Sequence, residues 1–123
     1  MATNFQEVGD VKTFSNTGAA IVSGQVVKMG SLLGVAITDI AATTGVGAVR
    51  ICGVFANMPK TTGSAWTVGQ KLAWDVSASK FDVGTATQAT GDVNGAAVAW
   101  EAALSGDAFG VVYLTPNGQA LVT

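Results

Sequence analysis

The sequence predicts an all-β chain, and three observations carry that prediction. Glycine-containing turn dipeptides recur about every eight to twelve residues, among them Gly9-Asp10, Ser23-Gly24, Thr62-Gly63, Gly91-Asp92, Asn94-Gly95 and Asn117-Gly118. The segments between them are short and rich in β-branched and aromatic residues, which suit a pleated, half-buried surface. The third observation is composition. Of 123 residues 49% are hydrophobic, and alanine and valine dominate them, while only 11% are charged. Small and branched side chains pack tightly between sheets and offer little to a catalytic site.

The strand candidates follow in order: Gln25 to Met29, Leu32 to Ile37, Ala48 to Phe55, Lys71 to Trp74, Lys80 to Val83, Ala96 to Trp100 and Gly110 to Leu114. Ala36 to Ala42 and Ala99 to Leu104 are alanine-rich, yet each is too short for an isolated helix and is bounded by turn residues, so both read as strand ends running into loops. Residues 1–10 are polar with one aromatic, Phe5, and read as an N-terminal arm. Residues 115–123 follow a strand, contain Pro116 and read as a C-terminal tail. The expectation is one domain spanning 1–123, a small β-barrel or sandwich with extended terminal arms.

The chain also echoes itself. Gly34 to Gly45 aligns without gaps on Gly95 to Gly106, with identities at Gly34/Gly95, Ala36/Ala97, Ala41/Ala102, Ala42/Ala103 and Gly45/Gly106. Each block has a Gly-Gln pair upstream, Gly24-Gln25 and Gly69-Gln70, at unequal distances. Two readings stand: two similar halves closing one small barrel, or chance similarity of Ala/Gly-rich sequence.

The equipment of catalysis is sparse. There is no histidine, one cysteine and a formal net charge of −2. Proton transfer, nucleophilic attack and anion stabilisation need titratable or fixed charge. The eight acidic residues are spread singly, so no metal or cofactor site is expected, and Asp75 and Asp82 read as turn caps. Gly63 to Lys71 resembles a phosphate loop only superficially. The glycine spacing is one too long, Gln70 precedes the lysine and no Ser/Thr follows it. The six cations are scattered, which argues against nucleic acid as a partner, and no apolar run is long enough to span a membrane. Nor does an apolar segment of signal-peptide type follow the N-terminus.

Cys52 lies in the apolar run Val49 to Phe55, which predicts a buried, unreactive thiol. On a continuous strand Arg50 and Cys52 would share one face, opposite Ile51. Trp66 and Trp74 fit the ends of a small β core, with each indole N–H finding a partner, better than they fit a ligand platform. A surface so poor in charge favours association over a free monomer.

The stretch from Gly53 to Asp75 is the most distinctive. Gly53-Val54-Phe55, Pro59-Lys60, Trp66, Gly69, Lys71-Leu72 and Trp74-Asp75, with Ser79-Lys80-Phe81 after them, resemble a family of small tailed-phage proteins known as capsid cement or head decoration proteins. The opening Met1 to Phe5 with Gly9-Asp10, the segments Gly24 to Val27 and Gly30 to Ala36, and the closing Ala97 to Leu114 are similar in the same order. Trp100, after Gly95-Ala96-Ala97, departs from the pattern. Members are sometimes named recombinases, a chemistry for which this chain lacks the phosphate loop.

The resemblance implies a structural virion protein, not an enzyme. It would be made in the host bacterial cytoplasm and would bind the outer surface of the phage head. There it would bridge neighbouring subunits of the major capsid protein, commonly as a homotrimer, without cofactor, nucleic acid or membrane. The arm then supplies the candidate contacts to capsid or neighbouring protomers: Ala2, Thr3, Asn4, Phe5, Gln6 and Glu7. The competing readings are a nucleic-acid-binding domain and a small carbohydrate-binding domain. The latter requires at least one of Trp66, Trp74 and Trp100 to be exposed.

Overall fold

A computed structural model describes residues 6–123 and contains ten strands and no helix among them. The strands are β1 (Val11–Ser15), β2 (Val26–Met29), β3 (Leu32–Ala36), β4 (Val46–Arg50), β5 (Gly53–Pro59), β6 (Lys71–Asp75), β7 (Lys80–Val83), β8 (Val93–Ala99), β9 (Phe109–Leu114) and β10 (Ala120–Leu121). The first four form one antiparallel sheet in the order β1-β4-β3-β2, and the rest form a second in the order β5-β9-β8-β6-β7, with β10 on β8. The all-β expectation holds.

The two sheets are the same unit built twice. β1, β2, β3 and β4 correspond to β5, β6, β8 and β9, and both sets pair in the same order. The ladders match residue by residue. Val26↔Val35 and Val27↔Gly34 in the first half become Lys71↔Val98 and Leu72↔Ala97 in the second. Val35↔Arg50 and Ala36↔Val49 become Val98↔Tyr113 and Ala99↔Val112. The loops agree as well. Gly24 N–H donates to Ala36 O, and Gly69 N–H donates to Ala99 O, both at 2.8 Å. Val22 N–H donates to Gln25 Oε1, and Thr67 N–H to Gln70 Oε1.

The duplication is therefore real, but its register corrects the sequence alignment: Ala36 matches Ala99, not Ala97. Identities among alanines and glycines carry little register information, whereas a ladder fixes register with every hydrogen bond. The unequal spacing of the Gly-Gln pairs also has a cause. The second half carries an added hairpin strand, β7, paired to β6 through Leu72↔Val83, Ala73↔Asp82, Trp74↔Phe81 and Asp75↔Lys80. A parallel bridge between Lys60 and Phe81 draws the end of β5 toward β7 and curls the second sheet toward closure.

Each half closes its loops over a glycine that leaves room for a large side chain. Ile21 and Ile40 exchange backbone hydrogen bonds in the first half, Trp66 and Ala103 in the second. A Cβ on Gly47 would stand 2.6 Å from Ile40 Cγ1, and one on its counterpart Gly110 would collide with the Trp66 ring. Two isoleucines fill in one half what a tryptophan and an alanine fill in the other, so volume is kept while shape changes.

Three local expectations are corrected. The run Ala48 to Phe55 is not one strand. It breaks at Ile51-Cys52, and Gly53 takes φ +132, a value L side chains rarely adopt. Val11–Ser15 is a strand the sequence hides, because its edge position needs only alternate apolar contacts and it reads as polar. Residues 115–123 are not an unattached tail. β10 pairs with β8 through Ala120↔Asn94 and Leu121↔Val93. Gln119 accepts from Leu33 N–H at 3.1 Å and donates to Ala96 O at 3.0 Å, pinning the first half to the second.

The hydrophobic interior has two parts. The smaller lies inside the first half: Ile21, Val27, Ala36, Ile40 and Val49, with Phe14, Met29 and Ile51 partly buried at its rim. The larger lies inside the second half, with Trp66, Leu72, Trp74, Phe81, Val93, Val112 and Leu114, and it also takes in Leu33 and Val35 from β3. Both faces of β3 are thus buried, one in each core. This joins the halves into a single packed body.

Candidate functional site

Of the six arm residues expected to make contacts, Ala2, Thr3, Asn4 and Phe5 lie outside the described residues. Gln6 and Glu7 are exposed and belong to no strand. Glu7 to Val11 line a shallow depression of about 310 Å³ together with Arg50. The structure thus brings Glu7 alongside the end of β4.

Four of the aspartates serve turns, whereas Asp82, read from the sequence as a turn cap, lies within β7 and accepts from Val83 N–H. Asp92, 5% exposed, accepts from Val76 N–H and Ala89 N–H. Asp39 accepts from Ser23 N–H and Asp107 from Leu104 N–H. The Asp75 carboxylate accepts from the Ser77 hydroxyl and from Ser77 and Ala78 N–H, and these bonds hold it below its ordinary value of 3.8. This is turn capping, as the sequence suggested for Asp75. Among the described residues no group of three or more His, Cys, Asp or Glu is placed to hold a metal ion.

Cys52 corrects its expectation. It is half-buried in the bend between β4 and β5, not sealed in the core. Its Sγ lies 3.5 Å from Asp10 Oδ1. Partial burial comes first, then the hydrogen bond to Asp10 and that carboxylate's charge. Together they push the thiol up, against an opposing pull from Arg50. The sequence weighed Arg50 as the neighbour that counts. The break in the strand brings Asp10 in as well, through Ile51 N–H donating to Asp10 O.

The tryptophans divide. Trp66 and Trp74 are buried at 1% and 5% exposure. Trp66 Nε1–H donates to Glu101 O at 3.0 Å, and Trp74 meets Phe81 edge-on with centroids 4.8 Å apart. Both rings plug the core as expected, while a hydrogen-bond partner for the indole N–H is seen at Trp66. Trp100, in contrast, is 52% exposed and tilts over Tyr113, itself 40% exposed, with centroids 5.8 Å apart. Val54 and Val98 flank Tyr113 in the ladder, so an aromatic and aliphatic face spans β5, β9 and β8. Beside it lies a cleft of about 470 Å³ lined by Gln70, Lys71, Asn94, Val98, Thr115 and Asn117 among others, in which Lys71 is the one charged residue. The sequence signal for this face was Trp100 itself, the residue that departs from the family pattern.

A second pair of residues escaped sequence reading. Lys60 is only 1% exposed and Asn16 only 4%. They occupy matching places, since Asn16 N–H donates to Gly45 O and Lys60 N–H to Ala108 O. Lys60 Nζ donates to the carbonyls of Thr61, Ser64 and Asp107, and sits 5.4 Å over the Trp66 ring. Asn16 Nδ2 donates to the carbonyls of Ala19 and Ala41. Each ties the end of its first strand to two loops, and each buried donor is satisfied. These are structural fasteners. A lysine between Pro59 and two threonines gives no sign that it is buried.

The chain matches no curated protein and no solved structure. A family model described as a phage cement protein matches residues 6–114, from the residues before β1 through the end of β9. The chain belongs to the phage cement protein family.

Proposed function

We propose that this cement protein binds the outer surface of an assembled phage head as a homotrimer and stabilises the shell by bridging neighbouring subunits of the major capsid protein. The observation that carries the reading is the family match over residues 6–114. A chain with only 11% charged residues and an exposed apolar face supports it. A protein that binds the assembled shell and not the free subunits shifts the equilibrium toward the shell by mass action. Many copies, each touching more than one subunit, turn a modest affinity into firm retention. No catalytic step is part of this role.

The test mixes purified protein with heads that lack it and sediments them. Saturable co-sedimentation supports the reading, and protein that stays in the supernatant at micromolar concentration refutes it. Residues 2–7 belong to the proposal as contact residues, since Gln6 and Glu7 are exposed and outside the sheets. Deleting residues 2–7 should weaken retention on heads and leave thermal unfolding unchanged. Equal retention removes the arm from the mechanism.

One observation favours a second reading. Trp100 with Tyr113 has the exposed aromatic surface that a carbohydrate-binding domain needs. Quenching or protection of Trp100 by capsule or cell-wall saccharides would favour it over capsid binding.

A further inference from the structure

The cleft of about 470 Å³ beside the Trp100 face has rigid walls and an excess of hydrogen-bond donors. Lys71, Val98 and Tyr113 follow one another across β6, β8 and β9, so their side chains stand on one face of the sheet. Lys71 and Val98 line the cleft, and Trp100, tilted over Tyr113, continues that face as an aromatic surface. Another wall is the turn through Asn117 and Gly118, which lies so close to β8 that a Cβ on Gly95 would collide with Gly118 O. Gln119 pins that turn by donating to Ala96 O. Two amides of the lining are oriented by backbone donors. Thr67 N–H donates to Gln70 Oε1 at 3.1 Å, and Gly95 N–H donates to Asn94 Oδ1 at 3.0 Å. A backbone N–H can only donate, so each contact fixes which end of the amide is the oxygen. Gln88 Nε2 adds a second bond to Asn94 Oδ1 and one to Gly84 O, both at 3.2 Å. The NH2 groups of Gln70 and Asn94 donate to nothing among the described residues and are left for the cleft. With the Lys71 ammonium they make a set of donors that no carboxylate of the lining answers.

We infer that this cleft binds an acidic saccharide, with one sugar ring on Trp100 and Tyr113 and a sugar carboxylate held by Lys71, Gln70 and Asn94. Unanswered donors call for a ligand rich in acceptor oxygens, and a lone cation calls for a single negative charge among them. An exposed aromatic pair, Trp100 at 52% and Tyr113 at 40%, calls for a flat ring face that is apolar at its centre and polar at its edge. A sugar ring next to one that bears a carboxylate meets all three demands, and the volume suits a site for a small ligand. A nucleic acid strand also stacks on aromatics, but it brings a negative charge with every nucleotide to a chain of net charge −2 and a cleft with one lysine. The inference rests on the carbohydrate reading of Trp100 with Tyr113, and names the class of sugar and the groups that select it.

Calorimetric titration of the full chain tests this with three probes: a hexasaccharide of alternating glucuronic acid and N-acetylglucosamine, a neutral glucose hexasaccharide, and a single-stranded thymidine hexanucleotide. The acidic hexasaccharide should bind saturably and shield Trp100 from acrylamide, a signal that Trp66 and Trp74 do not obscure because they are already buried. The neutral sugar and the nucleotide should bind about ten-fold more weakly or not at all, the loss of one charge-assisted contact. Lys71→Gln should abolish the preference for the acidic sugar, and Trp100→Ala should weaken both sugars. Both side chains are exposed, so both variants should keep the wild-type unfolding temperature. Equal binding of the two sugars, or an acidic preference that survives Lys71→Gln, overturns the inference and leaves the carbohydrate reading standing. No saturable binding of either sugar at millimolar concentration overturns both. Tighter binding of the nucleotide than of the acidic sugar also overturns the inference and assigns the cleft to nucleic acid. Capsid binding is read separately, by co-sedimentation with heads.

Discussion

The first and second halves share one backbone plan and differ in how they seal it. In the first, Ile21 and Ile40 pair through their backbones, Ile40 packs over Gly47, and Asn16 fastens the loops. In the second, Trp66 and Ala103 pair in the same way, Trp66 packs over Gly110, and Lys60 fastens the loops. The second half also gains β7 and shelters most of the buried large side chains. The comparison teaches that ladder register and glycine placement define the unit, while its fillings can be exchanged if volume and donor count are kept. It also separates stability from contact. The second half holds the larger core, and its outer face is the one that exposes aromatics.

The largest expected effect lies in the fillings. Trp66→Ala should cost about 3–5 kcal/mol of unfolding free energy, as for other buried tryptophans. The sharper version transplants the first half's solution. Trp66→Ile alone should destabilise by about 3 kcal/mol, and adding Ala103→Ile should recover most of that loss, since hydrophobic swaps that keep volume usually cost under about 1.5 kcal/mol. Chemical denaturation of the single and double variants measures the coupling. Strictly additive losses would mean that the two bridges are not interchangeable fillings.

Next come the fasteners. Lys60→Met leaves three carbonyls without their donor and Asn16→Leu leaves two, so each should cost about 1–3 kcal/mol, with Lys60→Met the greater. Thermal unfolding of both variants checks the order. A stabilised Lys60→Met would show that desolvating the ammonium outweighs its three hydrogen bonds.

The smallest effect concerns Cys52, whose thiol is raised by its surroundings. Its thiolate should form at higher pH in the folded chain than in the unfolded one. Native labelling by a thiol reagent should therefore lag behind labelling in denaturant at neutral pH and catch up in alkali. Asp10→Ala should speed native labelling a few-fold by removing two of the raising influences. The corresponding stability is present below the unfolded thiol's value and is lost as pH rises through the folded one. Equal native rates for Asp10→Ala and wild type would remove Asp10 from the account.

Much of this was legible in the sequence. Glycine spacing and β-branched runs located eight of the ten strands, with β4 and β5 read as one run, because turn chemistry and half-buried alternation are local properties. The fold class and the core roles of Trp66 and Trp74 followed from them. β1 and β10 were hidden because edge strands need little apolar patterning, and β10 is held mainly by Gln119 and two ladder pairs. The repeat was visible but in the wrong register, since only hydrogen bonds distinguish Ala97 from Ala99 as the partner of Ala36. Lys60 and Asn16 were invisible because burial of a polar group depends on carbonyls from distant loops. The arm was legible as polar sequence, but its contacts belong to a second molecule. The exposed face around Trp100 was legible only as a departure from a family pattern.

The stabilising action itself is measured by heating DNA-filled heads with and without saturating protein and following DNA release by dye accessibility. Heads carrying the protein should release their DNA at a higher temperature, and the shift should saturate with occupancy. Heads that bind the protein to saturation and release DNA at an unchanged temperature would contradict the account.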